Sequence, residues 1–193
     1  MARPREFDPQ AALQTAISLF WEKGYYDSSV DEVVRRSGVA KYGIYGTFGT
    51  KRELFLKALK QYAFDRYQDI QRPIRQPDAS LPEILTFFNQ APKLLCQKND
   101  KRGCLLCNTG VEVGLRDLEI GKFVKNFFRD VAKVLQACLE RAVKKGELKK
   151  STDVGALANF LATEFRTVLM LAASGHSRRE IDRHLAVALQ LLR

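Results

Sequence analysis

The chain has 193 residues, 46% of them hydrophobic and 28% charged, which is enough to build a core and argues against wholesale disorder. Thirty-two basic residues against 22 acidic ones leave a net charge of +10, a balance that suits a polyanion partner. Residues 1–67 hold only 11 basic against 8 acidic residues, so charge alone does not locate a binding face.

The chain then reads as helices from one end to the other. Asp8-Pro9 supplies a capping oxygen and a proline at the first helical position. Leu13, Ala16, Ile17 and Phe20 follow on one face, and Gly24 ends the helix. Ser29 with Glu32 is a capping box that opens a helix of about two turns, with Val30, Val33 and Val34 as its inner stripe and Gly38 as its stop. A short helix over 41–48 follows. Thr50 with Glu53 is a second capping box and starts a long helix through Leu54, Phe55, Ala58, Leu59 and Tyr62. Pro73 and Pro77 break the chain. Ser80 with Glu83 is a third box, opening a helix that carries Ile84, Leu85 and Phe88 and that Pro92 should kink or end. The polar link QKNDKRG leads to CLLCNTGVEVG, read as a short apolar helix. From Asp117 the clearest periodicity begins, with Ile120, Val124, Phe127, Phe128, Val131, Leu135, Cys138, Leu139 and Ala142 stepping by three and four to Gly146. Leu157, Leu161, Phe165, Val168 and Leu169 repeat the pattern. Ser177 with Glu180 caps a last helix bearing Ile181, Leu185, Ala188 and Leu189.

No segment alternates with period two for long enough to make a strand, so an all-α fold of about nine helices is expected. No run of about eighteen uninterrupted apolar residues exists to span a membrane, and MARPREFDPQ lacks the apolar core of a secretory signal. A cytoplasmic protein follows, and with it reduced thiols: Cys96, Cys104, Cys107 and Cys138 are free by default.

The second and third helices are joined by the tight turn Ser37-Gly38-Val39, the shape of a helix-turn-helix whose second member lies in a DNA major groove. Over residues 41–47 that helix offers the Lys41 cation, the Tyr42 and Thr47 hydroxyls and two glycines, Gly43 and Gly46, that permit close approach. Ile44 and Phe48 face inward.

The run SSVDEVVRRSGVAKYGIYGTFGTKRELF resembles the DNA-binding segment of the tetracycline-repressor (TetR/AcrR) family. Val39, Lys41, Ile44, Tyr45, Phe48, Thr50, Lys51, Glu53 and Leu54 fall in register with that family's pattern, which covers about a quarter of the chain. The resemblance implies a homodimer on a near-palindromic double-stranded operator, with Ser28 or Ser29, Tyr45, Thr47 and Lys51 on phosphates. Lys41, Tyr42 and Gly43 fall where the family reads bases. The chain departs from the pattern where Ala40 replaces a capping serine, Tyr42 a small residue, and Gly46-Thr47 a bulky or histidine pair. A division into a reading head, 1–52, and a sensor and dimerisation domain, 53–193, follows, with the last two helices as the dimer interface. Arg3-Pro4-Arg5 reads as a charged tail or as an arm entering the minor groove.

Phe87, Phe88, Phe127, Phe160 and Phe165 are candidates for lining an effector pocket between the middle helices, or for plain core. Cys104 and Cys107 share a helix face, and Lys101-Arg102 beside Cys104 favours a reactive thiolate. A buried pair of small hydrophobes is the other reading. The run RGCLLCNTGVEVG resembles a family subgroup that responds to electrophiles and oxidants. A zinc site lacks ligands, because His176 and His184 lie far along the chain, and no cofactor is expected. An enzyme with an incidental helix-turn-helix would want a P-loop, G-x-S-x-G or H-E-x-x-H, none of which occurs. A non-specific architectural DNA-binding protein would not need so large an apolar C-terminal half. The expectation is a repressor released by a small-molecule effector or by a redox or electrophilic one.

Overall fold

A computed structural model describes residues 7–95 and 102–192; Cys96, Lys101 and the Arg3-Pro4-Arg5 tail lie outside them. The described residues form nine α-helices and no strand. They are α1 (Pro9–Lys23), α2 (Val30–Ser37), α3 (Lys41–Phe48), α4 (Lys51–Gln71), α5 (Leu81–Leu95), α6 (Leu105–Glu112), α7 (Leu118–Lys144), α8 (Val154–Ala173) and α9 (Arg178–Ala188). Short 3-10 turns follow α4 at Pro73–Arg75 and α9 at Leu189–Leu192.

The helix ends lie where cap chemistry puts them. Asp8 accepts from the Gln10 amide at 2.8 Å, and Asp117 caps α7 by accepting from the Glu119 and Ile120 amides. Both halves of the capping box form at Thr50–Glu53 and at Ser177–Glu180. The other two boxes are half formed. Ser29 accepts from the Glu32 amide, but the Glu32 carboxylate turns to Lys23 and Arg36. Glu83 accepts from the Ser80 amide, while the Ser80 hydroxyl donates to Glu147. An ammonium or guanidinium competes well with a backbone amide for a carboxylate, and sequence spacing does not show that competition. The α5 helix runs through Pro92 to Leu95. Proline there removes only the bond to the Phe88 carbonyl, within the last helical turn.

The head is a three-helix unit in which α1 lies against α4, with Phe20 edge-on to Phe55 at 4.8 Å. The α4 helix continues into the C-terminal half, where Tyr67 meets Phe127 at 5.0 Å and Phe165 at 6.0 Å. Phe87 bridges Phe88 and Phe165, each at 4.9 Å. The α8 helix is long and apolar enough to cross a membrane by length and composition. It carries Glu164 and Arg166 at mid-length and buries Leu161, Phe165, Val168 and Leu169 in the core, its main neighbour being α7. It is a core helix.

Phe165 sits at the centre of this aromatic cluster with no exposed surface. Phe165→Ala is expected to lower the unfolding free energy by ~3–5 kcal/mol, through lost transfer energy and the cavity left behind. Denaturant titration checks this: the midpoint should fall while the slope stays constant.

Candidate nucleic-acid interface and thiol site

The α3 helix begins without a side-chain cap, since Ala40 makes no capping bond, and it contains two glycines. Its stability comes from below, where Ile44 and Phe48 are buried against the head. The opposite face is open. Tyr42 is 72% exposed and Tyr45 43%, and Lys41 and Thr47 are exposed beside them. Lys41 is not a loose cation, because its ammonium pairs with Asp31 of α2 at 2.7 Å, which raises its pKa. On α2, Arg36 is bound to Glu22 and Glu32.

The two glycines differ. A methyl group at Gly46 would meet nothing within 4 Å, whereas at Gly43 it would lie 3.2 Å from Phe7 and Val39. Gly43 therefore serves packing within the head, and Gly46 is the open position. The two serines differ as well. Ser29 is the exposed cap of α2, whereas Ser28 is buried and donates its hydroxyl to the Gly24 carbonyl. At the start of α4, Lys51 lies 4.6 Å over the Tyr25 ring and 3.5 Å from the Tyr26 carbonyl. Burial pushes its pKa down, against the pull of the Glu112 and Asp27 charges.

Sequence reasoning passed over the carboxylates that join the N-terminal helices to the C-terminal half. Asp117 receives Arg52 through two nitrogens, at 2.5 and 2.9 Å, while also capping α7, and Glu119 receives the same guanidinium at 2.7 Å. The Arg52 hydrogen bonds hold the Asp117 carboxyl below the usual range. Glu112 accepts from the amides of Tyr25 and Tyr26. A lone carboxylate in the apolar run NTGVEVG was the available signal.

Cys104 and Cys107 come together. Cys104 is the N-cap of α6, its sulfur accepting from the Cys107 amide at 3.4 Å and lying 2.8 Å from the Tyr67 hydroxyl. Tyr62 accepts from the Leu105 amide next door. Burial pushes the Cys104 thiol up, but the bonds from Cys107, Tyr67 and the α6 backbone outweigh it and leave the pKa below that of a free thiol. Cys107 moves the opposite way, raised first by its bond to Cys104 and then by burial. The two titrate as a pair, with Cys104 the more acidic partner. The loop before α6 is stapled to α1: Trp21 donates to the Gly103 carbonyl at 2.9 Å, and the Arg102 guanidinium lies 3.9 Å over its ring. Among the phenylalanines, Phe87, Phe88, Phe127 and Phe165 pack together with Tyr67. Phe160 does not join them and is 37% exposed on α8.

A helix-turn-helix with an open second helix, set on an all-α body, defines the class as a helix-turn-helix DNA-binding regulator. The family described as bacterial regulatory proteins of the tetR family matches residues 12–58, and the tetracyclin repressor-like C-terminal domain matches residues 80–188. The chain belongs to the tetracycline-repressor family. It is 28% identical over its whole length to the uncharacterized HTH-type transcriptional regulator YezE of Bacillus subtilis, whose whole length is also covered. It is 26% identical to the HTH-type transcriptional repressor ComR of Escherichia coli, over 98% of this chain and 90% of that one. In fold it is similar to a cysteine mutant of the TetR family regulator CifR solved with a 26-base-pair operator duplex. That match has a TM-score of 0.80 at 24% identity and covers 99% of this chain and 98% of the other.

A thiol held by donors at a helix N-terminus should titrate early. The ultraviolet thiolate absorbance of the folded protein should show a transition with its midpoint below the ~8.5 of a free cysteine. Cys104→Ser should remove that transition, whereas its survival in the variant would assign it elsewhere.

Proposed function

We propose that the chain is a transcriptional repressor that binds a near-palindromic operator as a homodimer and releases it when an electrophile or another small molecule reaches the Cys104 region. The open face of α3, with Lys41, Tyr42 and Tyr45 standing on a buried Ile44–Phe48 base, carries this reading. Lys41 and Tyr42 would face base edges. Tyr45, Thr47, Ser29 and Lys51 would hold phosphates, with Lys51 and the α4 N-terminus adding their positive ends. Gly43 would act by packing α3 onto Phe7, and Ser28 by holding the turn before α2. Binding DNA would break the Lys41–Asp31 pair, which favours the operator only where a base replaces Asp31 as partner.

A second copy of the chain is the partner that fits the outer face of the last two helices. Phe160 and Met170, with Thr163 and Thr167 between them, share one face of α8 by spacing, and Val187 and Leu191 lie exposed near the end of the chain. Those faces from two chains would form a four-helix bundle. We place the division between reading head and sensor at residues 52 and 53, inside the first turn of α4, so that the helix belongs to both.

The thiol supports an electrophilic effector. The Cys104 sulfur would add to the electrophilic carbon of an α,β-unsaturated carbonyl. A sulfur–carbon bond forms while the π pair moves to the α-carbon, which then takes a proton. Cys104 is 2% exposed, so a new substituent has no room without displacing Tyr67 or the first turn of α6. Release follows if the displaced state binds the adduct better than the operator-bound state does.

Selection from a genomic fragment library by the purified protein tests the reading, with and without methyl vinyl ketone. A near-palindrome should be enriched and then lost on treatment, and Cys104→Ser should keep binding while ignoring the reagent. Base contacts are worth ~1–3 kcal/mol each, so Lys41→Ala should weaken binding by about fivefold or more. Lys51→Ala should lower the salt slope by about one across all sequences. No enrichment at moderate salt contradicts the repressor reading, and specific binding that ignores the reagent contradicts only the thiol effector.

A further inference from the structure

The last residue of α6 makes a contact that no role above uses. Glu112 accepts from two consecutive backbone amides of the turn between α1 and α2, those of Tyr26 at 2.9 Å and Tyr25 at 3.1 Å, with one carboxylate oxygen for each. Gly24 makes room for this, because a Cβ there would lie 2.6 Å from the nearer Glu112 oxygen. Its φ of +80° also turns the chain out of α1 so that the next two amides leave the helix. The same two residues are also held by Lys51, through the Tyr25 ring and the Tyr26 carbonyl. Arg116, just beyond α6, lies over the Tyr26 ring at 5.4 Å. Two residues after Tyr26 the chain enters Ser28 and Ser29 and then α2.

We propose that Glu112 is a positioning residue for operator binding: its carboxylate, bridging the Tyr25 and Tyr26 amides, sets the pose of the turn that carries Ser29 and braces Lys51. The inference rests on the operator-binding reading and adds to it a residue that touches no DNA. Charged acceptors make strong hydrogen bonds to amides, and a carboxylate with two such donors is held in both position and orientation.

Electrostatics and positioning predict opposite signs here, which makes the contact testable. Removing an acidic group beside a phosphate-gripping surface should tighten DNA binding if charge is all that matters. If Glu112 positions the head, removing it should loosen binding. Glutamine removes the charge but keeps one carbonyl oxygen for one of the two amides, so it should restore part of the loss.

The experiment compares the full-length wild type with Glu112→Ala and Glu112→Gln on one selected operator duplex, reading affinity and salt slope by fluorescence anisotropy. Thermal unfolding is followed in parallel. The expected result is about tenfold weaker binding for Glu112→Ala, with a salt slope lowered by up to about one as Lys51 loses its brace, and an intermediate value for Glu112→Gln. Should the alanine variant fail to fold, the glutamine variant alone decides by being weaker than wild type. A folded variant that binds as tightly as wild type, or more tightly, overturns the inference. A wild type that selects no operator overturns the operator reading first and this inference with it, and it is told apart because the unsubstituted protein is the arm that fails.

Discussion

The structure depends on one uninterrupted helix. α4 runs for 21 residues without glycine or proline, and its two halves belong to different neighbourhoods. Leu54, Phe55, Ala58 and Leu59 are buried in its N-terminal half, which faces α1, while Tyr62, Tyr67 and Ile70 are buried in its C-terminal half, which reaches the aromatic cluster of the C-terminal helices. Close packing holds both ends, so a tilt demanded at Tyr67 has no soft joint before Lys51. The capping box at Thr50–Glu53 fixes where this rod begins, with two residues between it and the end of α3 at Phe48.

A second strut runs beside it. α6 has Cys104 at one end and Glu112 at the other, and both ends touch the head. Trp21 and Gly103 join near the first, and the Tyr25–Tyr26 amides join at the last. Asp117 adds a third tie by holding Arg52 while capping α7. The chemistry proposed for Cys104 therefore has a short path to the reading helices. Tyr67, which bonds Cys104, belongs to α4, and the helix that Cys104 caps ends on the α1–α2 turn. Coupling of this kind needs two arrangements of the same packed elements that a ligand can distinguish, and the adduct proposed at the buried sulfur would supply the difference.

The helices and the reading head were legible in the sequence because their signals are local. Asp8-Pro9, Thr50–Glu53, Ser177–Glu180 and the glycine stops act within one turn, and the α7 stripe repeats without interruption. The half-formed boxes at Ser29 and Ser80 show the limit, since Lys23 and Glu147 arrive from elsewhere in the fold to take one partner. Sequence spacing also did not show that a Cβ at Gly43 would meet Phe7 and Val39, whereas one at Gly46 would meet nothing. The long-range contacts of Glu112 and Asp117 were illegible for a similar reason. Their partners are 65 or more residues away, and no periodicity records a carboxylate meeting a distant backbone amide. The phenylalanines separated only in three dimensions, four into the cluster and Phe160 onto the outer face.

The central claim is that the head and the Cys104 region form one thermodynamic unit, and linkage makes that reciprocal: what senses at Cys104 must also feel DNA. Amide hydrogen exchange across α6, measured on the full-length protein with and without its selected operator duplex, tests this most directly. The account predicts that operator binding changes protection in residues 105–112, which lie outside the proposed DNA-contacting face. Changes confined to α1, α2, α3 and the first turn of α4 would contradict it.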